Sequence, residues 1–177
     1  MKRIFLAIDL PKDIIDGLKK HPDRFLPVRW TEPSNLHVTM NFLGDLEDME
    51  LETALQIVEE VCSRHAPIKI ELKSIRPFHS MIWAHTARNP ELEKIYRELS
   101  DAFSSVGIGQ SQRSSFKGHI TLARARNAET VANFKPVALS GMNFTATHIV
   151  VFESQLETDG PTYISVDAFE LTPLIYK

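Results

Sequence analysis

The sequence predicts an α+β fold: two pseudo-symmetric lobes, each an antiparallel sheet with helices on its outer face, around a central cleft. Three observations predict it. Strand-like segments alternate with segments of helical spacing. The connection near residues 76–80 is too short for the crossover that parallel strands require. One phrase, a histidine and a threonine two apart in an aliphatic run, occurs twice, as HVTM at 37–40 and HITL at 119–122. The two copies fall in different halves of the chain, which reads as a rough internal duplication. The 177 residues suit a single bilobal domain over 1–177.

The elements follow in order. RIFLAIDL (3–10) is rich in β-branched and aromatic residues and reads as a strand. The apolar run there is too short for a signal segment, and Asp9 interrupts it. Pro11 opens a short helix with Ile14, Ile15 and Leu18 on one face. Residues 28–44 hold a second strand that ends at Gly44. From Glu47 to His65, Leu51, Leu55, Val58 and Cys62 follow helical spacing. IKIELKSI (68–75) and MIWAHT (81–86) are strands connected by RPFHS. Asn89 caps a long helix whose face is Leu92, Ile95, Tyr96, Leu99 and Phe103, and Gly107 ends it. GHITLARA (118–125) is a strand, NAETVANF (127–134) a short helix, and 144–154 and 162–171 are late strands.

Composition narrows the function. With 43% hydrophobic and 24% charged residues, the chain is an ordinary globular protein. A net charge of −3 exerts no global pull on nucleic acid or membrane. The one cysteine, Cys62, excludes an intrachain disulfide and a multi-cysteine zinc site, and fits a reducing cytoplasm. No stretch approaches the roughly 20 apolar residues of a membrane span. Glycine-rich nucleotide loops are absent, so no cofactor is expected. A monomer is the default expectation.

On a strand, residues two apart share a face. His37 and Thr39 therefore point together, as do His119 and Thr121, with aliphatic neighbours on the opposite side. Two such faces turned toward each other make a cleft with two imidazoles and two hydroxyls. An imidazole gives and takes protons near neutral pH, so a pair serves as general acid and general base in one in-line displacement. Threonine hydroxyls donate to phosphate oxygens. The set suits phosphodiester hydrolysis without a metal, especially of a strained cyclic phosphate. Residues 102–128 hold no Asp or Glu but contain Arg113, Lys117, His119, Arg124 and Arg126, a locally cationic stretch for an anionic substrate. By strict alternation Arg124 points away from His119 and Thr121, and reaches the cleft only if the strand twists, bulges or ends there. Of the aromatic residues, Phe42 and Trp83 are expected in the core, and Phe78, read as lying in a loop, is the better base-stacking candidate. Phe116 and Trp30 are left open, and Tyr163 is read as structural. The remaining histidines, 21, 65, 79, 85 and 148, show no metal-ligand spacing and read as surface or locally bonded.

These motifs resemble the 2H phosphoesterase superfamily, and within it the LigT-like RNA 2′,3′-cyclic phosphodiesterases, also called 2′-5′ RNA ligases. The blocks that carry the likeness are RIFLAIDLP (3–11), NLHVTMNFLG (35–44), FKGHITLAR (116–124) and FESQLETDGPTY (152–163). Four blocks in order are far more specific than either His-x-Thr alone. The resemblance implies opening of a 2′,3′-cyclic phosphate on an RNA end, such as a tRNA-like molecule or an oligonucleotide, to a 2′-phosphate. It implies His37 as proton donor, His119 as proton acceptor, Thr39 and Thr121 as phosphate-holding residues, and Arg124 as a basic residue near the substrate. One departure is Gly118, where relatives often carry proline, which leaves the entry to His119 freer. Two alternatives stay open: a phosphodiesterase on a small cyclic nucleotide phosphate, and a non-catalytic module that holds RNA ends. Ligation is the same chemistry reversed, opposed by the high concentration of water.

Overall fold

A computed structural model describes residues 1–21, 26–109, 116–157 and 160–172. Arg113, part of the cationic stretch, lies outside the described residues, as do Thr158 and Asp159 of the late block. The element order is β1 (Lys2–Asp9), α1 (Lys12–Leu18), β2 (Arg29–Trp30), a 3-10 turn (Pro33–Asn35), β3 (His37–Leu46), α2 (Asp48–Cys62), β4 (Ile68–Phe78), β5 (Met81–Thr86), α3 (Pro90–Ser105), β6 (His119–Arg124), α4 (Glu129–Ala132), β7 (Val137–Ala138), β8 (Asn143–Ala146), β9 (His148–Glu157) and β10 (Gly160–Glu170).

The fold is α+β, with a large antiparallel sheet in the strand order β10-β9-β1-β3-β6-β5-β4-β7. β2 pairs with β6, and β8 with β4. β3 and β6, the two motif strands, are neighbours through the pair Val38 and Ile120. Each motif strand is antiparallel to a strand that precedes it across a helix. The successions are β1-α1-β3, with β2 and the 3-10 turn also intervening before β3, and β5-α3-β6.

Local chemistry sets these elements. β1 buries every residue from Ile4 to Ile8, because strands flank it on both sides and both its faces are covered. α2 starts with a reciprocal capping box between Glu47 and Glu50. α3 starts where the Asn89 side chain accepts from the Glu91 and Leu92 amides, both at 3.1 Å. It ends before Gly107, whose φ of 75° needs a residue without Cβ. Its buried face is the one its spacing predicts: Leu92, Ile95, Tyr96, Leu99 and Phe103. Val38 and Ile120 are fully buried in the core, on the side opposite the motif threonines and histidines.

Several boundaries differ from the sequence reading: β3 runs past Gly44 to Leu46, α4 is shorter than 127–134, and β7 was not expected. The 28–44 stretch splits, because Pro33 opens a 3-10 turn between β2 and β3. The connection between β4 and β5 shrinks to His79 and Ser80, since Arg76, Pro77 and Phe78 all pair with β5. The 144–154 strand breaks at Thr147 into β8 and β9.

Candidate active site

The two motif strands place all five sequence-predicted residues together. In the antiparallel register of Val38 with Ile120, His37 falls opposite Thr121 and Thr39 opposite His119. The four side chains share one face of the sheet and stay half-buried. A cleft of 1090 Å³ opens beside them; His37, Thr39, Thr121 and Arg124 line it, whereas His119 sits at its margin, on the same sheet face but outside the lining.

Arg124 reaches the cleft because the strand bulges. In the ladder with β5, Thr121 pairs with Trp83 and Ala123 with Ile82, so Leu122 is the extra residue. Leu122 and Ala123 are both buried, and parity flips past them. β3 has the matching bulge. Thr39 pairs with Ala7 and Asn41 with Leu6, which leaves Met40 extra and buries Met40 and Asn41 together. Each motif strand thus carries a histidine, a threonine and a third cleft-facing residue five positions after the histidine. That residue is Phe42 on β3 and Arg124 on β6.

The backbone fixes both imidazoles in one tautomer. Nδ1 of His37 lies 2.8 Å from the Asn35 carbonyl, and Nδ1 of His119 lies 2.7 Å from the Lys117 carbonyl. A carbonyl only accepts, so Nδ1 carries the hydrogen in each ring. Nε2 is left to take or give a proton. Nε2 of His37 is 3.0 Å from Oγ1 of Thr39. Asn35 is itself tied to β10, donating through Nδ2 to the Pro161 carbonyl at 2.8 Å. The loop before His119 is held from β5: the amide and hydroxyl of Thr86 both donate to the Gly118 carbonyl, at 3.0 and 3.1 Å. A Cβ at position 118 would overlap that hydroxyl, so the glycine makes room for the tether.

Burial drives the His37 pKa down to about 4, with the positive charges of His119 and Arg124 acting in the same direction and the Asn35 bond opposing them. Burial also lowers His119, again with Arg124 adding to it and the Lys117 bond opposing. The surroundings differ. His37 sits among Phe5, at 5.1 Å between ring centroids, Tyr163, edge-on at 5.3 Å, and Phe152. His119 lies flat on Trp83 at 3.5 Å, and Phe78 stacks on Trp83 at 3.7 Å.

Several aromatic expectations change. Phe42, expected in the core, is 58% exposed, because the bulge turns it outward onto the cleft. Phe78 is no loop residue: it ends β4 and is committed to Trp83. Trp83 is buried as expected, yet its ring is the platform under His119. Phe116 packs on Tyr96, and Trp30 lines the cleft. Tyr163 also lines it. His85 lies directly across from His119, whereas His65 is buried and bonded to Glu98. Among the described residues no three His, Cys, Asp or Glu side chains gather as a metal site, and no helix is long and apolar enough to cross a membrane. Asn35, the stacking of Trp83 under His119 and the bulge on β3 escaped the sequence reading, whereas a bulge was one of the conditions it set for Arg124. The bulge on β3 leaves no trace in the sequence, because Phe42 continues the apolar alternation of Leu36, Val38 and Met40.

Known proteins resemble this chain in sequence and in fold. The chain is 29% identical over 175 residues to the RNA 2′,3′-cyclic phosphodiesterase of Methanocaldococcus jannaschii, covering 91% of this chain and 96% of that one. It is 22% identical to the enzyme of that name from Aquifex aeolicus, covering 90% of each. A Thermus thermophilus crystal structure superposes with a TM-score of 0.87 at 22% identity, over 97% of this chain and 99% of that one. Escherichia coli LigT complexed with 3′-AMP superposes at 0.82 and 22% identity, over 97% and 98%. The family model of the 2′-5′ RNA ligase superfamily matches residues 11–157, and the chain belongs to that superfamily.

Proposed function

We propose that this chain hydrolyses the 2′,3′-cyclic phosphate at an RNA end to a 2′-phosphate, without a metal ion, and that its two halves act as pseudo-symmetric lobes of one catalytic domain. The observation that carries this reading is the pair of Nδ1-anchored imidazoles on adjacent strands, beside two threonine hydroxyls and one guanidinium. The names of the relatives support the substrate class.

Arg124 and the hydroxyls of Thr39 and Thr121 hold the non-bridging phosphate oxygens. Nε2 of His119 takes a proton from water as the water oxygen attacks phosphorus. The bond from phosphorus to O3′ breaks, and Nε2 of His37 gives O3′ its proton. One water is consumed, and the 2′-phosphate and free 3′-hydroxyl remain. Neutral in the empty cleft, His37 is charged when the anionic phosphate arrives, since a nearby anion raises an imidazole's pKa. The hydrogen of Thr39 then turns from His37 to the phosphate. Phe42 offers its exposed ring to a nucleobase. Ligation is this sequence reversed, with an RNA 5′-hydroxyl in place of water.

The test is incubation in EDTA with a short RNA ending in a 2′,3′-cyclic phosphate, alongside His119→Ala. A 2′-phosphate formed by the wild type and not by the variant is the expected result. No turnover by the wild type would remove the reading. A 3′-phosphate product would reverse the direction of ring opening.

A further inference from the structure

The cleft holds more positive charge than one cyclic phosphate needs. Arg29 on β2 and Arg124 on β6 are direct Cα partners, so their side chains leave the same face of the sheet, and both line the cleft. Like charges placed opposite each other destabilise a strand pair. Among the described residues, neither is relieved by a carboxylate. Arg124 Nη1 meets only Met81 Sδ, at 3.3 Å. The Arg29 guanidinium lies over Gly160, where any Cβ would overlap its terminal nitrogen. Glu32, the one carboxylate lining the cleft among the described residues, forms an ion pair with neither. Arg3, which lines the same cleft, differs: Asp45 neutralises it at 3.3 Å.

A cyclic phosphate is a monoanion, which Arg124 alone balances. The second guanidinium in the cleft calls for a second anion, and a nucleic acid strand supplies one charge per nucleotide. Guanidinium is also the side chain best matched to a phosphate's paired oxygens. Resting on the function proposed above, we propose that Arg29 binds the phosphodiester immediately 5′ of the cyclic end. The enzyme thereby selects a polynucleotide terminus over a nucleoside 2′,3′-cyclic phosphate. Gly160, with φ of 131° and no side chain, keeps the guanidinium extended over the cleft.

The experiment compares kcat/KM for a nucleoside 2′,3′-cyclic phosphate and for a dinucleotide ending in one, in wild type and Arg29→Gln. The wild type should prefer the dinucleotide by at least about tenfold, the scale of one charge-assisted hydrogen bond. In the variant the ratio should fall toward one, through KM rather than kcat. A dinucleotide with an uncharged methylphosphonate linkage should behave in the wild type as the normal dinucleotide does in the variant. The fall of kcat/KM with added salt on the normal dinucleotide should be shallower in the variant than in the wild type. An equal loss on both substrates in the variant, or no preference in the wild type, overturns the role of Arg29 while the proposed reaction stands. Turnover of neither substrate by the wild type overturns the reaction, and this role with it.

Discussion

The two His-x-Thr strands have one backbone plan and two different neighbourhoods. Each anchors Nδ1 on a carbonyl two residues back, and each bulges just past its threonine. On β3 the histidine is enclosed by Phe5, Phe152 and Tyr163, and the residue turned outward by the bulge is Phe42. On β6 the histidine lies on Trp83 with one ring face covered, and the residue turned outward is Arg124. Enclosure holds His37 down at about 4. A group so depressed is a strong acid once charged, which suits protonation of a departing alkoxide. His119 makes no hydrogen bond through Nε2 among the described residues, which leaves that nitrogen to a water. One histidine thus has an aromatic residue beside it and the other a cation, and in the proposed reaction the first is the acid and the second the base.

Ways to break this comparison begin with the histidines. His37→Ala and His119→Ala should each lower kcat by at least about 10²-fold, the scale of general acid–base catalysis. Near-normal turnover in either variant, measured at saturating substrate, would remove the two-histidine scheme. The outward residues come next. Arg124→Gln should cost about 10- to 100-fold in kcat/KM, because a charge-assisted contact to the phosphate is lost. Phe42→Ala should cost about fivefold, the lower end of a base-stacking contact. If the two losses were equal, or their order reversed, the assignment of cation and ring to different tasks would fail.

The smallest effect concerns stability. His37 is depressed when folded and ordinary, near 6.5, when unfolded. The unfolded chain therefore binds more protons between pH 6.5 and 4, so stability falls as pH falls through that window. The loss from His37 should be about 2 kcal/mol by pH 4, allowing for its partial exposure to solvent. Urea unfolding of wild type and His37→Gln at several pH values isolates it: the gap between them should move against the wild type as acid is added. A constant gap would mean that His37 is not desolvated.

Much of this was legible in the sequence, for physical reasons. The face of α3 follows from helical period, its start from Asn89 and Pro90, and its end from Gly107. The grouping of His37 with Thr39 and of His119 with Thr121 follows from the strand period of two. Pairing of β3 with β6 is a contact across 82 positions, which no local pattern encodes. For that reason His85 looked scattered although it faces His119, and Trp83 looked like plain core although it carries the imidazole. Strict alternation pointed Arg124 away from the cleft although the family resemblance placed it near the substrate, and the apolar strand around Phe42 suggested core; the bulge after each threonine turns both outward. The loop reading of Phe78 failed because proline at position 77 resembles a strand end, yet Pro77 sits within β4 opposite Ile82.

The division of labour between the histidines is tested most directly by pH profiles of kcat/KM for wild type, His37→Ala and His119→Ala on one RNA 2′,3′-cyclic phosphate. Because both imidazoles are depressed, the wild type should give a bell with its optimum below pH 6.5. His119→Ala should lose the acidic limb, since no base remains to be deprotonated, and keep the alkaline fall. His37→Ala should lose the alkaline limb and keep the acidic one. A bell that persists in either variant, or the same limb lost in both, would contradict the account.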